Sequence, residues 1–163
     1  MPNTKKALFI CVHNSARSQI AEEYLRELGG QNWEVESAGF EPGQINPLVI
    51  KVMAEQGYDL THKKTQKVFD LFKQGKTFQY VITVCNESEE GSCPIFPGMT
   101  HRLHLPFPDP AQLKGSEEEK LEQLRKIRDQ IKEMIRQFLE WEDTGHSKPL
   151  GDHWELRSVS RQE

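Results

Sequence analysis

The side chains best suited to chemistry sit in eight consecutive residues, Cys11-Val12-His13-Asn14-Ser15-Ala16-Arg17-Ser18. A cysteine and an arginine with five residues between them can share one oxyanion. Backbone N–H groups of such a loop can point inward at the anion, and a helix that follows adds the positive end of its dipole. The same surroundings favour the thiolate, which is the nucleophilic form of cysteine. The spacing therefore predicts a nucleophilic Cys11 facing a tetrahedral oxyanion. Arg17 is its forked partner, and His13, Asn14, Ser15, Ala16, Arg17 and Ser18 form the oxyanion-binding loop. Asn14 is expected in the left-handed conformation that asparagine tolerates. Ser15 and Ser18 are candidate hydroxyl donors to the oxyanion and the thiolate. The plainer alternative is a buried structural cysteine at a strand end with a surface arginine nearby.

The flanking pattern supports the first reading. Ala7–Val12 is an apolar run of strand length, and Ser18–Leu28 carries Ile20, Ala21, Tyr24, Leu25 and Leu28 at helical spacing. Gly29-Gly30 ends that helix. Trp33–Ala38 predicts a second strand. Asn46-Pro47 predicts an N-cap and first turn of a helix running to Gly57. Thr65–Phe72 predicts a short helix, Tyr80–Cys85 a third strand, and Arg102–Leu105 a fourth. Glu87–Met99 is a polar loop with two prolines. Ser116-Glu117-Glu118-Glu119 is a capping box that opens a long helix with Leu121, Leu124, Ile127, Ile131, Met134, Ile135 and Phe138 as its core stripe. Strands alternating with helices predict an α/β fold with a parallel sheet. Ligands in such sheets sit at the carboxyl ends of strands, where Cys11 and Cys85 both fall. Residues 1–141 are expected to form one domain, and 142–163 a polar tail or added element in which His146 and His153 are solvated.

Composition narrows the classes. The 163 residues suit a single domain, 36% of them are apolar, and the net charge of −4 gives no electrostatic support for nucleic-acid binding. No apolar run reaches membrane-spanning length, and the polar Met1–Lys6 does not resemble a signal peptide. A cytoplasmic setting, where thiols stay reduced, is expected. Three cysteines, Cys11, Cys85 and Cys93, are an odd number that argues against a structural disulfide framework and suits one reactive thiol plus a reducible pair.

Cys11–Ser18 resembles the active-site loop of the low-molecular-weight protein tyrosine phosphatase superfamily. Ser37-Ala38-Gly39, Asn46-Pro47 and Pro108-Asp109-Pro110 stand where that superfamily keeps similar segments. The resemblance covers roughly Lys5–Phe138 and implies a single-domain three-layer sandwich, a four-stranded parallel sheet flanked by helices. Within the superfamily the chain looks most like the arsenate reductases coupled to thioredoxin. The loop reads His13-Asn14-Ser15-Ala16 where phosphatases tend to have glycine first. Cys85 and Cys93 lie where the reductases carry a redox pair. Ala111 follows Asp109-Pro110 where tyrosine phosphatases usually place an aromatic residue. The interval between Cys85 and Cys93 is a residue longer than in the family. Some members bind potassium near the loop. Asn14, Glu22 and Ser37 match part of that site, and Lys67 falls where the remaining acidic ligand would lie, its ammonium standing in for the ion. No metal and no cofactor is expected.

The resemblance implies roles residue by residue. Cys11 attacks arsenate, and Asp109, held stiffly between two prolines, acts as general acid. Cys85 attacks Cys11 to release arsenite, Cys93 resolves the disulfide, and thioredoxin regenerates the enzyme. A glutaredoxin with a small thiol is the alternative reductant, and a monomer is the expected state. Two other readings remain. A phosphatase acting on phosphoesters would use Cys11, Arg17 and Asp109 but not the later cysteines. A zinc module would use Cys85, Cys93, His101 and His104, although seven residues separate the two cysteines where zinc sites usually have about two to four.

Overall fold

In a computed structural model of the chain, residues 4–85, 95–145 and 155–158 are described. Five strands form one sheet: β1 (Lys5–Cys11), β2 (Trp33–Gly39), β3 (Tyr80–Thr83), β4 (His101–His104) and β5 (Glu155–Ser158). Their spatial order is β2-β1-β3-β4-β5. The first four pair in parallel and β5 runs antiparallel to β4. The expected four-stranded parallel sheet is present, and part of the polar tail adds a fifth strand to its edge. Four helices accompany it: α1 (Arg17–Gly29), α2 (Pro47–Ala54), α3 (Val68–Lys73) and α4 (Glu117–Asp143).

Alternation along β1 shows why there are three layers. Ala7, Phe9 and Cys11 face a core built with Ile20 and Leu25 of α1, Val49 and Val52 of α2, and Leu124, Ile131 and Phe138 of α4. Leu8 and Ile10 face the opposite core with Val68 and Leu71 of α3, Phe78 and Phe96. Both faces of a parallel strand are covered, so it reads as a continuous apolar run rather than an alternating one. The two local signals at helix starts are realised. Asn46 Oδ1 accepts from Leu48 N at 2.8 Å with Pro47 at the first helical position. Ser116 and Glu119 form a complete capping box.

The ends of β1, α1, β2 and β4 differ from the sequence expectation by one or two residues, and three other boundaries differ as well. α2 stops at Ala54, and Gly57 turns the chain with φ 89°. β3 ends at Thr83, although Val84 N still donates to Ile10 O at 2.8 Å. Helix over Thr65–Phe72 begins only at Val68, because the Gln66 backbone is already engaged: its N–H donates to Asn14 Oδ1 (2.9 Å) and its carbonyl accepts from Gly39 N (2.8 Å). Most of the predicted loop Glu87–Met99, including Cys93, and the tail histidines His146 and His153 lie outside the described residues.

Gly39 is where the sheet meets the loop after β1. A Cβ there would stand 2.7 Å from Asn14 N and Val12 O and 2.8 Å from His13 C, all backbone atoms that cannot swing aside. Gly39→Ala is expected to lose about 2 kcal/mol of stability by overpacking. That corresponds to a fall of about 4–8 °C in Tm for a domain this size, measurable by thermal denaturation.

Candidate active site

The residues between β1 and α1 form a loop whose peptide groups are turned one way. Phe40 N donates to Cys11 O (3.3 Å), Glu41 N to Val12 O (2.8 Å), Gly43 N to His13 O (2.9 Å) and Asn46 N to Ser15 O (2.9 Å). Gln19 Nε2 donates to Asn14 O (3.1 Å), and Ile20 N to Ala16 O (3.0 Å). Every carbonyl from Cys11 to Ala16 is thus drawn to the outside. In a trans peptide the next N–H points opposite its carbonyl, so the amides of residues 12–17 converge on the inner side. Helix α1 adds to this. Its N-cap is Ala16, among the poorest capping residues, with no side-chain cap and no acidic residue in the first turn. The orphan amides and the dipole of that helix are left for an anion.

Asn14 holds the loop in shape. It is the one non-glycine residue with positive φ among those described, at 55°, and it is fully buried. Gln66 N can only donate, so the atom it meets on Asn14 is the oxygen, and Nδ2 is left to donate to Ser18 Oγ (2.8 Å) and Ser37 Oγ (3.0 Å). Ser18 Oγ therefore accepts from Asn14, and it is hydrogen-bonded to Cys11 Sγ, 2.9 Å away, as the donor when the sulfur is a thiolate. Ser37 donates onward to Glu22 Oε1 (2.5 Å). Glu22 in turn is held by Lys63 Nζ at 2.5 Å and by Arg26. An aligned chain of this kind strengthens each bond in it. The amide of Gln19 braces the same residue, donating also to Asn14 Oδ1 (3.1 Å).

The cation standing at Glu22 corrects one expectation. Lys67 is exposed and forms the N-cap of α3, its backbone bridged to Gly39. That pairing carries its side chain away, and Lys63 supplies the ammonium instead. Among the described residues no group of three or more His, Cys, Asp or Glu side chains is arranged to hold a metal.

Other predicted residues take clear positions. Arg17 is buried; its NH1 donates to Phe107 O (3.2 Å) and its NH2 lies 3.7 Å from Asp109 Oδ1. Asp109 Oδ1 also accepts from Ala111 N (2.9 Å), which fixes the carboxylate over the turn Pro110–Gln112. His13 is exposed and its Nδ1 meets Glu41 O at 2.8 Å. A carbonyl only accepts, so Nδ1 carries the proton and the ring clips the Glu41 segment; its backbone, not its ring, faces the loop's inner side. Cys85 is fully buried just past β3, in the same apolar cluster as Cys11. The two sulfur-bearing residues thus close neighbouring parallel strands. His101 stacks on Tyr80 with centroids 5.2 Å apart, and His104 Nδ1 lies 2.8 Å from Thr83 Oγ1. Sequence reasoning missed Gln19, Gln66 and Lys63. Only the position of Gln19 directly after Ser18 carried a hint.

Fold and loop together define a class: α/β proteins whose first parallel strand passes through a cysteine-to-arginine loop into a helix. Residues 6–148 match the low molecular weight phosphotyrosine protein phosphatase family, and the chain belongs to it. An arsenate reductase of Halalkalibacterium halodurans is 36% identical over 138 residues, covering 85% of this chain and 97% of the relative. The structure of a thioredoxin-dependent arsenate reductase of Corynebacterium glutamicum superposes with TM-score 0.61 at 30% identity, over 91% of this chain. It covers 64% of that protein, so this chain spans just under two thirds of its length. A tyrosine phosphatase of Erwinia amylovora shares the fold with TM-score 0.63 at 17% identity, over 86% of this chain and 93% of its own.

Lys63→Met leaves the buried Glu22 with one cationic partner fewer and is expected to cost about 1–2 kcal/mol. Lys67→Met, at an exposed position, is expected to stay within about 0.5 kcal/mol of wild type. Urea denaturation of both variants checks the pair.

Proposed function

We propose that this chain reduces arsenate to arsenite by a three-sulfur relay and uses its phosphatase-like loop to bind the substrate. The observation that carries this reading is Cys85: a second buried cysteine, at the carboxyl end of the strand that pairs with the Cys11 strand and in the same apolar cluster. A hydrolase has no use for it. Support also comes from relatives that are arsenate reductases over most of this chain.

Arsenate is a tetrahedral dianion that fits the convergent amides and the Arg17 fork. The Cys11 thiolate attacks arsenic, and Asp109 protonates the departing oxygen. The Cys85 thiolate then attacks the Cys11 sulfur. The S–As bond breaks with its electron pair passing to arsenic, which leaves as arsenite, and a Cys11–Cys85 disulfide remains. Attack of Cys93 on Cys85 frees Cys11 and leaves Cys85–Cys93. An external dithiol protein, thioredoxin by likeness to the Corynebacterium protein, reduces that disulfide. All the residues invoked fall within residues 1–141, which we take as the catalytic domain, with 142–163 an added element. Every sulfur belongs to one chain, so a monomer suffices, and the thiol chemistry suits a reducing cytoplasm. No helix among the described residues is long and apolar enough to cross a membrane.

Arsenate-dependent NADPH oxidation with thioredoxin and thioredoxin reductase tests the reading. Cys11→Ser, Cys85→Ser and Cys93→Ser are each expected to abolish sustained turnover, and Cys93→Ser to permit at most one arsenite per chain. Multiple turnovers by Cys85→Ser or Cys93→Ser would sink the relay. Hydrolysis of p-nitrophenyl phosphate that needs Cys11 alone, without arsenate reduction, would make the protein a phosphatase.

A further inference from the structure

The strand β5 stands at Glu155–Ser158, beyond the family match, which ends at residue 148. It is laid antiparallel along the whole of β4. His101 is paired with Ser158, Arg102 with Arg157, Leu103 with Leu156 and His104 with Glu155. With β3 on its other side, β4 is thereby an inner strand. Without β5 it would be an edge strand of four residues, held from one side.

The segment that follows β4 is what makes this pairing matter. The chain runs on as Leu105-Pro106-Phe107-Pro108. Leu105 N donates to Thr83 O (2.8 Å) and Phe107 N to Val84 O (3.1 Å). Phe107 O accepts from Arg17 NH1 (3.2 Å), so this stretch carries an anchor of the buried guanidinium that ends the Cys11 loop. In an extended chain successive N–H groups point to opposite edges. Leu105 and Phe107 spend theirs on the β3 side. The positions whose N–H would face outward are Pro106 and Pro108, which have none. The stretch therefore offers no donor to an outer neighbour, and its support on that side comes through β4.

We infer that β5 is a splint for the oxyanion site: by pairing the outer edge of β4 it holds the Phe107 carbonyl where it aims Arg17. Strand ends with one neighbour open locally more often than inner strands do. When β4 opens, Leu105 and Phe107 leave Thr83 and Val84, and the guanidinium loses its carbonyl anchor. An anion then binds only in the fraction of time for which the fork is in place, and its apparent affinity falls by that fraction. The added element thus positions a binding residue from a distance, through backbone pairing alone.

This inference rests on the reading of the Cys11 loop as an oxyanion site, and the experiment separates the two. Sulfate, a tetrahedral dianion, is the probe. Every protein is full length and carries Cys11→Ser, so that no thiolate opposes the anion. Cys11→Ser alone is compared with Leu156→Pro/Arg157→Pro and with Leu156→Val/Arg157→Val in the same background. Of two consecutive prolines in a strand, one removes an N–H aimed at the neighbour. Valines keep both N–H groups and favour a strand. Calorimetry gives the sulfate affinity, and hydrogen exchange is followed at the Leu105 and Phe107 amides.

The double proline variant is expected to speed exchange at both amides and to weaken sulfate binding about fivefold or more, the loss that follows when the competent state falls to about a fifth of the population. The double valine variant is expected to match Cys11→Ser in both. Faster exchange with unchanged affinity would make β5 an edge cover only and overturn the inference, and unchanged exchange would overturn it too. Equal weakening by prolines and valines would assign the effect to side chains and overturn the backbone splint. Each of those results leaves the oxyanion site standing. No sulfate binding by Cys11→Ser itself would overturn the site and the inference together. Should the double proline variant unfold, Leu156→Gly/Arg157→Gly, which weakens the strand but keeps its N–H groups, is read by the same two measurements against the same outcomes.

Discussion

Everything in this site follows from the direction of six carbonyl groups. Those of Cys11 to Ala16 are each claimed by a donor outside the loop, and the amides are left to face inward. Loops of this length have no intrinsic preference for such an arrangement. It is imposed by the segment Phe40–Asn46 acting as a strap, by Gln19 from the first turn of α1, and by the start of α1 itself. Gly39 lets the strap lie close enough to reach. The inner face of the loop is therefore built from backbone, and side chains serve chiefly to hold that backbone.

The arrangement carries local costs. Ala16 leaves the start of α1 uncapped, and Asn14 adopts a left-handed conformation with its side chain fully buried. Each is a departure from what stability alone would select, and such departures cluster where function is. The surroundings offset them by satisfying Asn14 completely: its oxygen accepts from Gln66 and Gln19, and its nitrogen donates to Ser18 and Ser37. The network ends at one side on Cys11 Sγ and at the other on the buried Glu22 with its cations. Shape of the loop and position of the sulfur are thus secured by the same buried polar chain. Placing Cys85 in the apolar cluster behind the loop gives this cradle a second thiol that hydrolysis does not require.

Much of this was legible in the sequence because its signals are local. The strand–loop–helix order around Cys11, the left-handed Asn14, the Ser18 hydroxyl at the sulfur, the cap at Asn46 and the capping box at Ser116 all depend on residues a few positions apart. What was not legible depends on contacts between distant segments. Lys63 and Lys67 are four residues apart and chemically alike, and only the pairing of the Gln66–Lys67 backbone with the loop decides which one faces Glu22. The same pairing shortened the helix expected over Thr65–Phe72. The strap over residues 40–46 gave no motif, since it contributes backbone N–H groups that any residue but proline supplies. β5 escaped notice because a four-residue edge strand in a polar stretch has too little pattern to separate it from a tail.

The central claim is that one chain carries both the oxyanion cradle and the two electrons that convert its bound adduct. A single-turnover experiment reaches it most directly: fully reduced protein is mixed with excess arsenate and no reductant, arsenite is counted, and the disulfide is mapped by mass spectrometry. One arsenite per chain, with Cys85 and Cys93 joined and Cys11 reduced, is the predicted result. No arsenite, with all three thiols still reduced, would contradict the account.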